Sequence, residues 1–193
     1  MNHAYIQAAE ARSVDLNWSY YQTRGYDDPN LVSYMESHDE ERVMWDISKR
    51  SGYTLKENLD RIKLNAAFFF LTPGPKMLWQ FGEMGYDEEL NNDRLGIKPT
   101  HWEYLEDPER LKLFAAFQSL INLKTQTDLL DPETFSWGVS TSYKWLNYDN
   151  DGVKICAFGN FSEDTRSGDP HIIASGMWYD YFTGEPVEVS NTS

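Results

Sequence analysis

Leu31-Val32-Ser33-Tyr34-Met35-Glu36-Ser37-His38-Asp39-Glu40-Glu41-Arg42 is the stretch whose reading decides the fold. Its first five residues are an apolar run suited to a buried parallel strand, which needs apolar side chains on both faces. The run then stops against a dense cluster of ionisable groups. In open α/β sheets and (β/α)8 barrels, chemistry gathers just past the C-terminal ends of such strands. His38, Asp39, Glu40, Glu41 and Arg42 sit where such a site belongs. A competing reading makes the acids a helix N-terminus, where negative charge favours the helix dipole.

Working outward, Thr54-Leu55-Lys56-Glu57 has the form of a capping box. Leu55, Leu59, Ile62, Ala66 and Phe69 follow it at helical spacing. That helix must end before Thr72-Pro73-Gly74-Pro75. Met77 to Phe81 reads as a second short strand, running into the polar end Gly82-Glu83-Met84-Gly85-Tyr86-Asp87. A long loop carrying Arg94, Lys98, His101 and Trp102 leads to Asp107-Pro108-Glu109, an N-cap followed by proline at the first helical position. Leu111, Phe114, Phe117, Ile121 and Lys124 trace the helix that follows. Strand, helix, strand, helix is the text of a parallel sheet or barrel. Upstream, Asn2 to Arg12 reads as a short helix and residues 13–30 as aromatic and turn-rich.

The character changes after Thr125. Segments near 135–140, 143–148, 153–158, 177–182 and 186–189 are β-rich. They are separated by turns at Asn150-Asp151-Gly152, Ser167-Gly168-Asp169-Pro170 and Thr183-Gly184-Glu185-Pro186. The expected fold class is therefore α/β followed by all-β. Residues 1–125 supply the last βα units of a partial (β/α)8 TIM-type barrel, and residues 126–193 a small antiparallel β-sandwich domain.

Totals narrow the functions available. At 193 residues with 40% hydrophobic and 15% aromatic content, the chain has material for a folded core. A net charge of −14 disfavours nucleic acid and anionic membrane surfaces as partners. No apolar run approaches the ~20 residues that span a bilayer. The single cysteine, Cys156, excludes an internal disulfide. Three consecutive acids at 39–41 are not a calcium loop, so neither metal nor cofactor is expected.

Four landmarks in order resemble the C-terminal portion of an α-amylase-type enzyme of glycoside hydrolase family 13. Tyr34-Met35-Glu36-Ser37-His38-Asp39 resembles that family's aromatic-x-x-x-His-Asp motif at the end of barrel strand seven. The stretch from Leu71-Thr72-Pro73-Gly74 to Phe81-Gly82-Glu83 is similar to its strand-eight motif. Gln118 to Lys124 looks like the end of the final barrel helix, and Asp180-Tyr181-Phe182-Thr183-Gly184 like the hairpin of the following β-domain. The resemblance implies an enzyme acting on α-glucans such as starch, glycogen or maltooligosaccharides by a retaining mechanism. It places the nucleophilic Asp and acid/base Glu upstream of Met1. About 125 residues precede the β-domain, where a whole barrel takes about 250.

In that family Asp39 would be the third carboxylate, accepting the sugar 2-OH and 3-OH protons in bonds that strengthen at the transition state. His38 would be a second substrate-hydroxyl contact. Glu83, Tyr86 and Trp102 are further substrate-binding candidates, with Trp45 and His101 also available for an aromatic rim. Arg42 and Gln80 are expected to support the site, Arg42 by neutralising nearby carboxylates. Two other readings stand beside hydrolysis. A branching or transferring enzyme shares these motifs, and a non-catalytic glycan-binding module could use Trp137, Trp145, Trp178 and Tyr181. A partial barrel exposes strand edges, so either self-association through the cut face or origin in a larger protein is expected. With the nucleophile and acid/base placed upstream, the isolated chain is expected to be inactive.

Overall fold

Side-chain capping fixes the two long helices of the computed structural model, which describes residues 1–50, 52–90, 96–132, 134–150 and 152–190. Arg94 and Asp151 lie outside the described residues. Helix α3, Leu55–Leu71, opens on the predicted capping box: Thr54 accepts from the Glu57 amide, and the Glu57 carboxylate accepts from the Thr54 amide. It ends before Pro73, as the proline demands. Helix α4, Pro108–Gln126, is capped by Asp107, whose side chain accepts from the amides of Glu109 and Arg110. Two eight-residue helices precede them, α1 at Asn2–Ala9 and α2 at Val43–Arg50.

The buried faces of these helices form one core. Tyr5 and Ile6 of α1, Leu59, Ile62, Ala66 and Phe69 of α3, and Leu113, Phe117 and Leu120 of α4 all enter it. Leu55 does not, because it faces solvent in the first turn of α3. The face of α4 also differs from expectation. Leu111 and Phe114 are exposed, and the inward stripe is Arg110, Leu113, Ala116, Phe117 and Leu120. The physical reason is Arg110, which reaches inward to the Met84 and Gly85 carbonyls and the Asp87 carboxylate. A search for apolar spacing rejects a stripe that begins with arginine.

The two predicted strands contract to a single parallel bridge between Ser33 and Lys76. The Ser33 amide donates to the Pro75 carbonyl (3.1 Å) and the Met77 amide to the Ser33 carbonyl (2.9 Å). The direction is the parallel one that a strand–helix–strand crossover produces. The ladder cannot lengthen toward residue 75, because proline has no N–H to give. Beyond Met77 the chain leaves the extended path and enters a 3-10 turn at Gly82–Met84. Gly74, at φ +89°, lets the Thr-Pro-Gly-Pro turn press against the 31 segment, where a Cβ would stand 3.3 Å from the Leu31 carbonyl.

The C-terminal segments fold as antiparallel β-structure. Strands β1 (Thr134–Gly138), β2 (Tyr143–Asn150) and β3 (Val153–Asn160) make one sheet in that order. Strands β4 (Gly176–Tyr179) and β5 (Pro186–Val189) make a separate hairpin. Asp180 shapes its turn by accepting from the amides of Phe182 and Thr183, which holds its carboxyl below the usual range. These sheets of three and two strands are smaller than the expected sandwich. Leu146 and Tyr148 of β2, with Phe161 just beyond β3, join the same core as the helices.

Candidate functional site

Past the parallel bridge, the two chain segments diverge and a cleft of about 260 Å³ opens between them. Ser37, His38, Glu40 and Arg42 line one side, Trp79, Gln80 and Tyr86 another, and Glu88, Glu89, Leu90, Gly96 and Lys98 a third. The cleft thus lies at the predicted strand ends.

Its foundation is a buried ion pair, in which Arg42 neutralises a carboxylate as expected and the carboxylate is that of Glu36. Glu36 is 6% exposed and Arg42 5%, and Arg42 Nη1 donates to Glu36 Oε2 at 2.9 Å. The other carboxylate oxygen accepts the amide of Val43 at 2.8 Å, satisfying the first orphan N–H of α2 from across the loop. Burial pushes the Glu36 carboxyl up despite the attraction of Arg42 and the Val43 bond. The Nη2 nitrogen donates to the Gln80 carbonyl, and the guanidinium lies 4.4 Å from the Tyr86 ring centroid. One arginine therefore ties the end of the 31–37 segment to the end of the 76–86 segment. Gly82 completes the joint, since a Cβ there would stand 2.7 Å from Glu36 Oε2. The only sequence signal for Glu36 is its place directly after the 31–35 run, with an arginine six residues on.

The charged residues beyond this joint are held in turn. Ser37 Oγ lies 3.0 Å from Asp39 Oδ1 and 3.3 Å from Glu40 Oε2, within reach of both carboxylates. Asn2 of α1 donates to the carbonyls of Met35 and Glu41 (3.1 and 2.8 Å), fixing the loop from behind. Glu41 accepts the Leu90 amide at 2.9 Å and so holds the third wall. His38 is exposed and its ring lies 5.9 Å from that of Trp79.

His38, Arg42, Gln80 and Tyr86 line the cleft. Asp39 is exposed and stands between His38 and Glu40, which line it, without lining it itself. Tyr86 is buried beneath Arg42, with its hydroxyl donating to the Pro99 carbonyl at 2.7 Å. Trp102 is 66% exposed and meets the edge of Phe81, away from the cleft lining. Glu83 Oε2 is buried with no hydrogen-bond partner among the described residues, and burial raises its carboxyl pKa. Phe81, at φ +61°, takes a left-handed backbone rare for an aromatic residue. No group of three or more His, Cys, Asp or Glu residues is arranged to hold a metal among the described residues.

No protein-family model matches this sequence, and no curated protein matches it. Solved structures do. The type III pullulan hydrolase from Thermococcus kodakarensis superimposes on 97% of this chain with a TM-score of 0.64 at 15% identity. The α-amylase from H. orenii covers 98% of it with a TM-score of 0.62, also at 15% identity. The fold is of the α-amylase type. The chain spans only 33% and 44% of those two proteins' lengths. At this identity the α-amylase-type likeness is one of backbone path, so the chemistry rests on the residues of the cleft.

The aromatic residues of the β-segments do not form one platform. Trp137 pairs with Leu146 and Trp145 with Gly138, so the two tryptophans point to opposite faces of the sheet. Trp137 packs on Tyr20 and Phe135 at the core, whereas Trp145 stacks on His171 at 4.2 Å. Trp178 donates its indole N–H to Ala174, and the Tyr181 hydroxyl donates to Ser119 on α4.

Proposed function

We propose that this chain is the C-terminal portion of an α-amylase-family glycoside hydrolase acting on α-glucans with retention. Support comes from the α-amylase-type fold over nearly the whole chain, together with a cleft at the predicted strand ends that is lined by His38 and framed by Arg42. In this reading residues 1–125 contribute the last part of the catalytic barrel and residues 126–193 the domain that follows it. The nucleophile and the acid/base belong to preceding barrel strands.

Asp39 then clamps the 2-OH and 3-OH of the sugar at the cleaved bond. Its carboxylate accepts both protons most strongly as the ring flattens toward an oxocarbenium ion. His38, beside it on the cleft wall, is a second hydroxyl contact. Ser37 steers the Asp39 carboxylate through its hydroxyl. Gln80 and Arg42 support the cleft and Tyr86 lines it beside them; Glu83 and Trp102, outside the lining, are the remaining substrate-binding candidates. A barrel part of this size buries its open strand edges against the remainder of the barrel or against another copy of itself.

Asp39→Asn in the full-length enzyme tests the assignment. Losing a bond made mainly in the transition state lowers kcat about 10²- to 10³-fold with a smaller change in KM. An unchanged kcat with only weaker substrate binding would remove Asp39 from the chemistry. The isolated 193-residue chain is expected to release no reducing sugar from maltooligosaccharides. Measurable release would place a complete catalytic set within it.

A further inference from the structure

His101 stands apart from the sugar-clamp assignment, at the foot of the third cleft wall. Its Nε2 lies 2.9 Å from Glu88 Oε1 and its Nδ1 2.5 Å from Glu103 Oε1. The ring is stacked at 8° on Tyr104, 4.8 Å between centroids, and tilted against Tyr86 at 5.6 Å. Neutral imidazole carries one N–H and one lone pair. A lone pair facing a carboxylate oxygen at either distance would be repelled, so both contacts belong to the imidazolium.

The other charged groups around it favour no competing partner. Among the described residues, Arg110 lies over the far side of Tyr104 and is paired with Asp87, to which the Tyr104 hydroxyl also bonds. Arg42 lies over Tyr86 and is paired with Glu36. Glu88 and Glu103 are thus the two acids in contact with His101. They come from different pieces of chain. Glu88 belongs to the segment that walls the cleft, and Glu103 to the 3-10 helix Trp102–Glu106. The same wall is tied down by Lys98 donating to the Leu90 carbonyl and by the Leu90 amide on Glu41.

We propose that His101 is a proton-operated latch, holding the wall segment around Glu88 to the 102–106 helix when charged and releasing it when neutral. The latch does not depend on what the cleft binds. The bond to Glu103, with that to Glu88, raises the imidazole above its ordinary value of 6.5. The sign follows: the latch is intact below 6.5 and lost as pH rises through the higher folded-state value. A looser wall opens the cleft on the side of Glu88, Glu89 and Leu90.

An NMR titration of the whole chain from about pH 5.5 to about pH 9 tests this. The His101 ring is expected to titrate above 6.5, with the amides of Leu90 and Lys98 following the same midpoint. Hydrogen-exchange protection at Leu90, corrected for intrinsic rates, falls about two- to fivefold across that midpoint, the scale of an exposed ion pair. His101→Gln gives the loose state at every pH, and Glu103→Gln lowers the midpoint, both leaving a cooperative unfolding transition that shifts by no more than the same two- to fivefold factor. A ring midpoint at or below 6.5, silent Leu90 and Lys98 amides, or a pH response that survives His101→Gln would each overturn the latch.

Discussion

Arg42 and Lys144 are both buried cations, and they are accommodated in opposite ways. Arg42 is matched by a buried carboxylate, a backbone carbonyl and an aromatic face. Lys144, fully buried in β2, is held by three carbonyl oxygens: Val14 at 2.6 Å, Val139 at 2.8 Å and Thr141 at 2.6 Å. The first arrangement compensates charge with charge and joins two chain segments at the cleft. The second satisfies hydrogen bonds without a directly bonded counter-charge among the described residues, and it fastens the 13–16 segment to the sheet. Burial pulls the Lys144 ammonium down to about 8, a fall that the charge of Asp15 partly opposes. The guanidinium cannot escape its cost by losing a proton, whereas the ammonium can.

The sharpest way to break this contrast is Glu36→Ala. It leaves Arg42 buried without its counter-ion and strips the cap from the Val43 amide. A loss of about 3–5 kcal/mol is expected, read from the shift in urea midpoint. The double variant Glu36→Leu with Arg42→Met should recover a large part of that loss, because both charges leave together. A double variant as unstable as Glu36→Ala would mean that the carboxylate, and not the pairing, carries the joint.

Gly82→Ala probes the same joint from the other side. The added methyl falls within 2.7 Å of Glu36 Oε2, so the carboxylate must turn from Arg42 or the 3-10 turn must shift. The expected cost is about 1–3 kcal/mol. Alanine tolerated without loss would show that the joint has slack. Tolerance would also soften the view that residues 80–86 are held to the strand end by close contact.

Much of this architecture is legible in the residues themselves. The Thr54–Glu57 capping box, the Asp107-Pro108 helix start and the Thr72–Pro75 stop act through local chemistry and appear where their residues place them. All five β-segments form strands, although those expected near 135–140 and 177–182 stop early, at Gly138 and Tyr179. What the local text hides is set by partners far along the chain. Residues 31–35 have strand composition, yet their pairing depends on Pro75, which cannot donate, so one bridge survives. Arg110 looks like a surface residue until the carbonyls of Met84 and Gly85 arrive to meet it. At the cleft, the cluster from His38 to Arg42 announces itself by density of charge. Glu36 escapes notice because its partner and its burial are tertiary facts.

Lys144→Met has the smallest expected effect at neutral pH, and its pH dependence is the informative part. Removing the ammonium relieves a desolvation cost but leaves three carbonyls short of a donor, so the net change near pH 7 is about 1 kcal/mol or less. Between about 8 and the ordinary lysine value of 10.5, the unfolded chain holds a proton that folded Lys144 has released. The stability contributed by this residue therefore rises with pH across that window. Lys124, donating to the carbonyls of Thr72 and Leu129 and also lowered to about 8, adds a rise of the same sign. Buried tyrosines such as Tyr5 act oppositely above their ordinary value of 10, where the unfolded chain loses the proton first. Urea midpoints taken from about pH 7 to about pH 9.5 stay below that interference. The variant should climb less steeply than the native chain, since only Lys124 and other shared groups remain. Parallel curves would mean that Lys144 keeps its proton, and that three carbonyls shelter a buried charge as well as a carboxylate does.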